Sequence, residues 1–149
     1  VTAPDPQAGG MVRAIRWSLE DAGVTPQQID YINAHATATP LNDSMETLAI
    51  KTVFGEDAYR VPISGSKALL GHTLGGTGAI EAIICLLAMR DNIIPPTWNY
   101  SEPDPACDLD YVPNQPRPAQ LDTVLSNSFA MGGHNCCLVF GRFAGATGG

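Results

Sequence analysis

The sequence predicts an α/β fold, a mixed sheet of about five strands packed with helices. Three observations carry it. Apolar residues at helical spacing alternate with short extended apolar runs between residues 11 and 90, the order expected of βαβ units around a parallel sheet. Two apolar runs near the end flank Gly132-Gly133 and read as an antiparallel hairpin. The 149 residues are 44% hydrophobic and 15% charged, a balance that suits one buried core and not a disordered chain.

The elements follow in order. Residues 1–9 are rich in Pro, Gly and Ala and read as a loop. Met11, Ile15 and Leu19 recur every fourth residue with Val12 beside them, an amphipathic helix stopped by Gly23. Pro26 to Asp30 turns into a short strand over 31–34, and a polar loop carrying His35 follows at its carboxyl end. Asn42 or Asp43 is positioned to cap the next helix, which runs to about Phe54 with Gly55 as its stop. A second short strand over 61–64 leads through Gly65-Ser-Lys67 to a glycine-rich stretch over 71–78. That stretch opens a helix from about Gly78 to Arg90, apolar nearly all round and so expected to be buried, with Pro95-Pro96 as its end. Residues 95–106 read as loop, 109–112 as a short strand, and Pro113, Pro116 and Pro118 as a surface connection. Residues 124–129 and 136–143 are the hairpin strands, and 144–149 read as a flexible tail after a domain over 1–143.

Composition narrows the function classes. The formal charge of −7 argues against nucleic acid as a main partner, because phosphate binding wants a basic face. The longest apolar run, 82–89, is far short of the roughly 20 residues of a membrane-spanning helix. No basic segment followed by an apolar one opens the chain, so no signal peptide is expected. The start at Val1 without an initiator Met points to processing or to a piece of something longer. Cys85, Cys107, Cys136 and Cys137 form no C-x-x-C pair, and adjacent strand residues face opposite ways. They read as small buried hydrophobes in a reducing compartment, the cytoplasm or an organelle stroma after import.

Several residues carry chemistry. Glu81 is the only charged residue between 68 and 89 and sits in an apolar helix. A carboxylate there must be paired, hydrogen-bonded or protonated, and Lys67 is the nearest cation, so a Lys67–Glu81 pair is expected; an exposed edge position is the alternative. His35 and His72 each stand beyond a strand end, where α/β sheets bind ligands. Two neutral imidazoles there can donate hydrogen bonds to one developing oxyanion. Singly each reads as a structural histidine, as His134 in the hairpin turn does. The hydroxyls of Thr37 and Thr39 alternate and can face one groove, or simply serve the turn. Gly76-Thr-Gly78 lacks the third glycine of a dinucleotide loop and the Lys-Ser/Thr of a P-loop, and His134, Cys136 and Cys137 suit no zinc spacing.

The strings themselves carry a resemblance. Asn33-Ala-His35-Ala-Thr37-Ala-Thr39-Pro-Leu-Asn-Asp43 resembles the Asn-Ala-His-Gly-Thr-x-Thr-Pro-x-x-Asp motif of beta-ketoacyl-ACP synthases. Ser66-Lys67, Gly71-His72 and Gly78-Ala-Ile-Glu81 resemble the second histidine motif of that family. Asn127-Ser128-Phe129, then Met131-Gly132-Gly133-His134-Asn135, resembles its carboxyl-terminal glycine-rich loop. The resemblance covers residues 4–143 and implies the carboxyl-terminal half of a thiolase-like fold. It implies decarboxylative Claisen condensation of malonyl-ACP with an acyl thioester, in fatty-acid or polyketide elongation, with no cofactor beyond the phosphopantetheine that arrives on the acyl carrier protein. His35 and His72 would then bind the malonyl thioester oxygen, and Lys67 would pair with Glu81 and bias the local field. Thr37 and Thr39 would hold the pantetheine arm. Phe129, Met131, Gly132 and Gly133 would line the acyl-thioester site. The implied partners are the acyl carrier protein, the chain's own amino-terminal half and, when complete, a second copy. A basic patch such as Arg13 and Arg16, or one on the missing half, would receive the acidic carrier.

The departures from the family pattern are as informative. Ala36 replaces the usual glycine, which matters if that position needs φ > 0. Ala130-Met131 replaces the usual Gly-Phe, and Met131 would be a more flexible gate. The family's nucleophilic cysteine lies before any residue of this chain, and Cys107 sits in a Pro- and Asp-rich loop without its strand-to-helix context. The chain is therefore expected to be inactive alone, to self-associate through an uncovered apolar face, and to begin where the two halves are cut. A non-catalytic subunit resembling a chain-length factor is the alternative; a thiolase-fold enzyme using His plus a second Cys fits the paired histidines less well.

Overall fold

The computed structural model describes residues 5–143, so the tail expected at 144–149 lies outside the described residues. Helix α1 (Gly9–Ala22) buries Met11, Val12, Ile15 and Leu19, the spacing that predicts it. Asp5 accepts the N–H groups of Gln7 and Gly9, so the helix starts ahead of its first apolar residue, and Gly23 ends it at φ 66°. Strand β1 (Tyr31–Asn33) is buried throughout. Helix α2 (Asn42–Phe54) follows the polar loop and stops at Gly55, φ 57°. Neither Asn42 nor Asp43 caps it. Thr39 Oγ1 accepts the Asn42 N–H at 3.3 Å, and the Asp43 carboxylate turns back to the Ala38 N–H at 3.1 Å.

Strand β2 (Ile63–Ser64) is shorter than the sequence suggests, and a four-residue helix α3 (Lys67–Leu70) follows it. Helix α4 (Thr77–Asp91) ends at Asn92, whose left-handed φ of 53° closes it ahead of the prolines. Strands β3 (Ile93–Ile94) and β4 (Arg117–Pro118) form a separate antiparallel ribbon. Strands β5 (Thr123–Phe129) and β6 (Asn135–Gly141) make the expected hairpin. The main sheet has four strands among the described residues, in the order β2-β1-β5-β6. Strand β1 runs parallel to β2 and β5, and β6 runs antiparallel to β5. The strand expected over 109–112 does not form: Val112 turns to φ 45°, while Asp110 gives its carbonyl to the Ile63 N–H at 2.8 Å.

Strand alternation divides the core between two faces. Ile32, Ile63 and Leu125 pack with Ile15, Ile50 and Phe54 of α1 and α2. Tyr31 and Val124 pack with Cys85, Ala88 and Met89 of α4 on the other side. Helix α4 corrects the expectation of burial all round. Ile83, Leu86 and Leu87 are 57%, 52% and 42% exposed, because the sheet covers only one side of the helix. Among the described residues no helix is long and apolar enough to cross a membrane.

Candidate active site

The parallel pairing of β1 with both β2 and β5 puts three strand ends on one edge of the sheet. His35 leaves β1, the Lys67 segment leaves β2, and Phe129 closes β5. These residues are separated by tens of positions in the chain, and the topology alone brings them together. The rings of His35 and His72 meet edge-on with centroids 5.6 Å apart at 86°, and Phe129 lies 6.0 Å from His35 at 65°.

The two histidines are prepared differently. His72 Nδ1 accepts the Leu74 N–H at 3.2 Å and lies 2.9 Å from Thr77 Oγ1. An accepting Nδ1 leaves the proton of the neutral ring on Nε2, so His72 is an N–H donor on its other side. His35 is 7% exposed, and its Nδ1 has no partner. Burial, then the charge of Lys67 and the neighbouring His72, lowers its pKa to about 4. The unfolded chain protonates this ring near its ordinary 6.5, whereas the folded protein refuses the proton until about 4. The stability contribution is therefore full above 6.5 and is lost as the pH falls towards 4. Histidine NMR, with the His35 signal identified by its loss in His35→Ala, should show no titration near 6.5; a midpoint there would contradict the burial.

Lys67 and Glu81 form a salt bridge with side chains 6% and 1% exposed, and Ser66 Oγ donates to the same carboxylate oxygen at 3.4 Å. Burial pushes the Glu81 carboxyl up, against the pull of Lys67 and Ser66. Its second oxygen has no partner. The hydroxyls of Thr37 and Thr39 lie 3.1 Å apart and so share one side of the loop. Met131 is 75% exposed between Phe129 and two left-handed glycines, Gly132 at φ 80° and Gly133 at φ 78°. His134 is exposed in the same turn. Ala36 stands at φ 40°, so the methyl that replaces the resembled family's glycine is held in the left-handed region.

Glu46 escaped the sequence reading. It is 3% exposed and accepts four hydrogen bonds, from the His35 and Ala36 N–H groups at 2.8 and 2.9 Å and from the Asn127 and Asn42 side-chain amides at 3.1 and 3.3 Å. It therefore ties the His35 loop to α2 and β5. Burial raises its pKa, and the Ala36 and His35 N–H groups draw it back; four donors facing two oxygens suit a carboxylate, not an acid. The signal was its spacing with Ile50 and Phe54, which places a carboxylate on the buried stripe of α2. Glu46→Gln sets an amide N–H₂ against N–H donors and should cost about 1–3 kcal/mol in urea unfolding. An unchanged midpoint would mean that the bonds contribute nothing.

The cysteines divide. Cys85 is buried as expected, but Cys136 is exposed on β6 and Cys107 and Cys137 are half-buried; all are free. Among the described residues no group of three or more His, Cys, Asp or Glu could hold a metal ion. A cavity of about 400 Å³ lies between α2 and the 97–111 loop, lined by Ala36, Thr47, Gly65, Cys107 and Tyr111 but by neither histidine.

A family model described as beta-ketoacyl synthase, C-terminal domain, matches residues 1–101. The 3-oxoacyl-[acyl-carrier-protein] synthase 2 of Coxiella burnetii (strain RSA 493 / Nine Mile phase I) is 51% identical over 142 residues, which is 95% of this chain and 34% of that protein. Among solved structures, the ishigamide ketosynthase/chain length factor superposes with TM-score 0.90 at 42% identity, over 95% of this chain and 34% of its own. A type II PKS acyl-carrier protein in complex with its ketosynthase contains a chain that matches with TM-score 0.90 at 38% identity, over 95% of this chain and 35% of that one. The chain thus spans about a third of the length of the relatives it matches.

Proposed function

The chain belongs to the beta-ketoacyl synthase family, and from that premise we propose that it supplies the carboxyl-terminal part of a 3-oxoacyl-[acyl-carrier-protein] synthase with a thiolase-like fold. The observation that carries the reading is the meeting of His35 and His72, centroids 5.6 Å apart, at the carboxyl ends of parallel strands. One ring is held neutral by burial and the other has its N–H turned away from Thr77. Such a pair binds the oxygen of a malonyl thioester. When the carboxylate leaves as carbon dioxide, its bonding pair becomes an enolate whose charge falls on that oxygen. The enolate carbon attacks the acyl thioester held on a cysteine; the new carbon–carbon bond forms and the cysteine sulfur leaves as thiolate. That cysteine belongs to the amino-terminal part of the complete protein, whose packing would also cover Ile83, Leu86 and Leu87.

The remaining residues take supporting parts. The buried Lys67–Glu81 pair sets the field around His35 and His72. Thr37 and Thr39 hold the phosphopantetheine arm of an acyl carrier protein, and the turn from Phe129 through Met131 to Gly133 lines the acyl site. A carrier-protein partner is supported by the ketosynthase complex this chain resembles. A homodimer and a cytoplasmic location belong to the same reading. The second reading, a non-catalytic subunit resembling a chain length factor, draws on the ishigamide relative, but both histidines and the Lys67–Glu81 pair favour the catalytic one.

The complete protein, given acyl-ACP and malonyl-ACP, should release carbon dioxide and form 3-oxoacyl-ACP. The purified 149 residues should form none and should self-associate by light scattering through the uncovered α4 face. A complete protein that condenses only with a separate ketosynthase partner would favour the second reading.

A further inference from the structure

We propose that Ala36 and Gly65 form a clamp one methyl group wide that sets the spacing between the two arms of the site, and that Ala36 is thereby a positioning residue for His35. The proposal rests on the condensing reading only in its kinetic half.

The two arms are the loop after β1, carrying His35, and the segment after β2, carrying Lys67. They come close at Ala36 and Gly65. A Cβ added to Gly65 would stand 2.6 Å from the Ala36 Cβ, closer than two carbons can approach. The space between the arms therefore holds one methyl, and Ala36 supplies it. Ala36 does so at φ 40°, a conformation that disfavours any residue with a Cβ. A strained alanine persists where its surroundings over-determine it. Here its N–H is held by Glu46 at 2.9 Å, and Ala38, also left-handed at φ 55°, has its N–H held by Asp43 at 3.1 Å.

The opposing wall is equally fixed. The Gly65 N–H donates to Thr97 Oγ1 at 3.1 Å, and Ser66 and Lys67 both bind Glu81. Neither wall can drift without breaking these bonds, so the methyl transmits the position of one arm to the other. A glycine at position 36 would relieve the strain and remove the methyl that keeps the two arms apart at the wall of the cavity that Ala36 and Gly65 both line.

The test is a double-mutant cycle in the complete protein, read by thermal melting and by condensation kinetics. Gly65→Ala should lower the melting temperature by about 3 °C or more, through overlap with Ala36. The same change in an Ala36→Gly background should cost almost nothing, because the methyl then comes from the other wall. Equal penalties in both backgrounds would overturn the clamp. Ala36→Gly should lower kcat for condensation about threefold to tenfold with little change in KM, since misplacing His35 affects the transition state more than binding. The double variant should recover most of that loss. An Ala36→Gly protein with unchanged kcat, or a double variant as slow as the single, would overturn the positioning role. If the complete wild-type protein forms no 3-oxoacyl product, the condensing reading fails while the melting cycle still decides the clamp.

Discussion

His72→Ala in the complete protein is expected to lower the rate of malonyl decarboxylation and condensation by about 10²–10³-fold, the cost of removing one donor from a preorganised oxyanion site. The expectation rests on the fixed tautomer. With Nδ1 accepting from Leu74, the Nε2–H is committed before substrate arrives, and no reorganisation is needed as charge develops. His35→Ala should cost a similar factor, since the two rings meet at one point. The double variant should lose less than the product of the two, because groups that act on one oxygen are not additive. In the proposed mechanism acyl transfer to the cysteine is a separate step that does not use the enolate oxygen, and it should be affected less by either change. Measuring carbon dioxide release and acyl transfer separately checks this. Normal condensation in His35→Ala or His72→Ala would remove that histidine from the mechanism.

The second large effect concerns stability. Lys67→Met leaves Glu81, 1% exposed and with one oxygen already unpartnered, to stay charged without its cation or to take up a proton, and should destabilise the protein by about 3–5 kcal/mol. Glu81→Leu strands the ammonium in the same way. The Lys67→Met/Glu81→Leu double variant removes both charges and should recover much of the stability, because a well-packed apolar pair often replaces a buried ion pair without loss. It should not recover activity, since the positive charge beside His35 is gone. Denaturant unfolding beside a condensation assay separates the two outcomes. A double variant less stable than both singles would show that the pair itself holds the fold together.

Much of this was legible in the chain. The spacing of Met11, Ile15 and Leu19 marks α1, and Gly23 and Gly55 mark two helix ends because each must turn to positive φ. Glu81 announced itself as a lone charge in an apolar helix, and burial leaves such a group few options beyond the cation that Lys67 provides. Glu46 did not announce itself. It shares its helix with Asp43 and Lys51, and only its place on the buried stripe, with backbone donors arriving from residues 35 and 36, distinguishes it.

Local pattern also misled in identifiable places. The apolar circumference of α4 reads as complete burial, yet the sheet covers one side. The run at 109–112 has strand composition, but its carbonyl at Asp110 is spent on Ile63 and Val112 turns away. By itself the sequence determined the order of helices and strands, the residues with reactive side chains and the family they signal, because those depend on neighbours within a few positions. Only the tertiary structure decided that β1 lies between β2 and β5 and so draws His35, His72, Lys67 and Phe129 to one edge. It alone decided that His72 Nδ1 faces the Leu74 N–H and that one methyl separates the two arms. Strand pairing, desolvation and close contact arise between segments tens of residues apart, and local periodicity carries no information about which segments will meet.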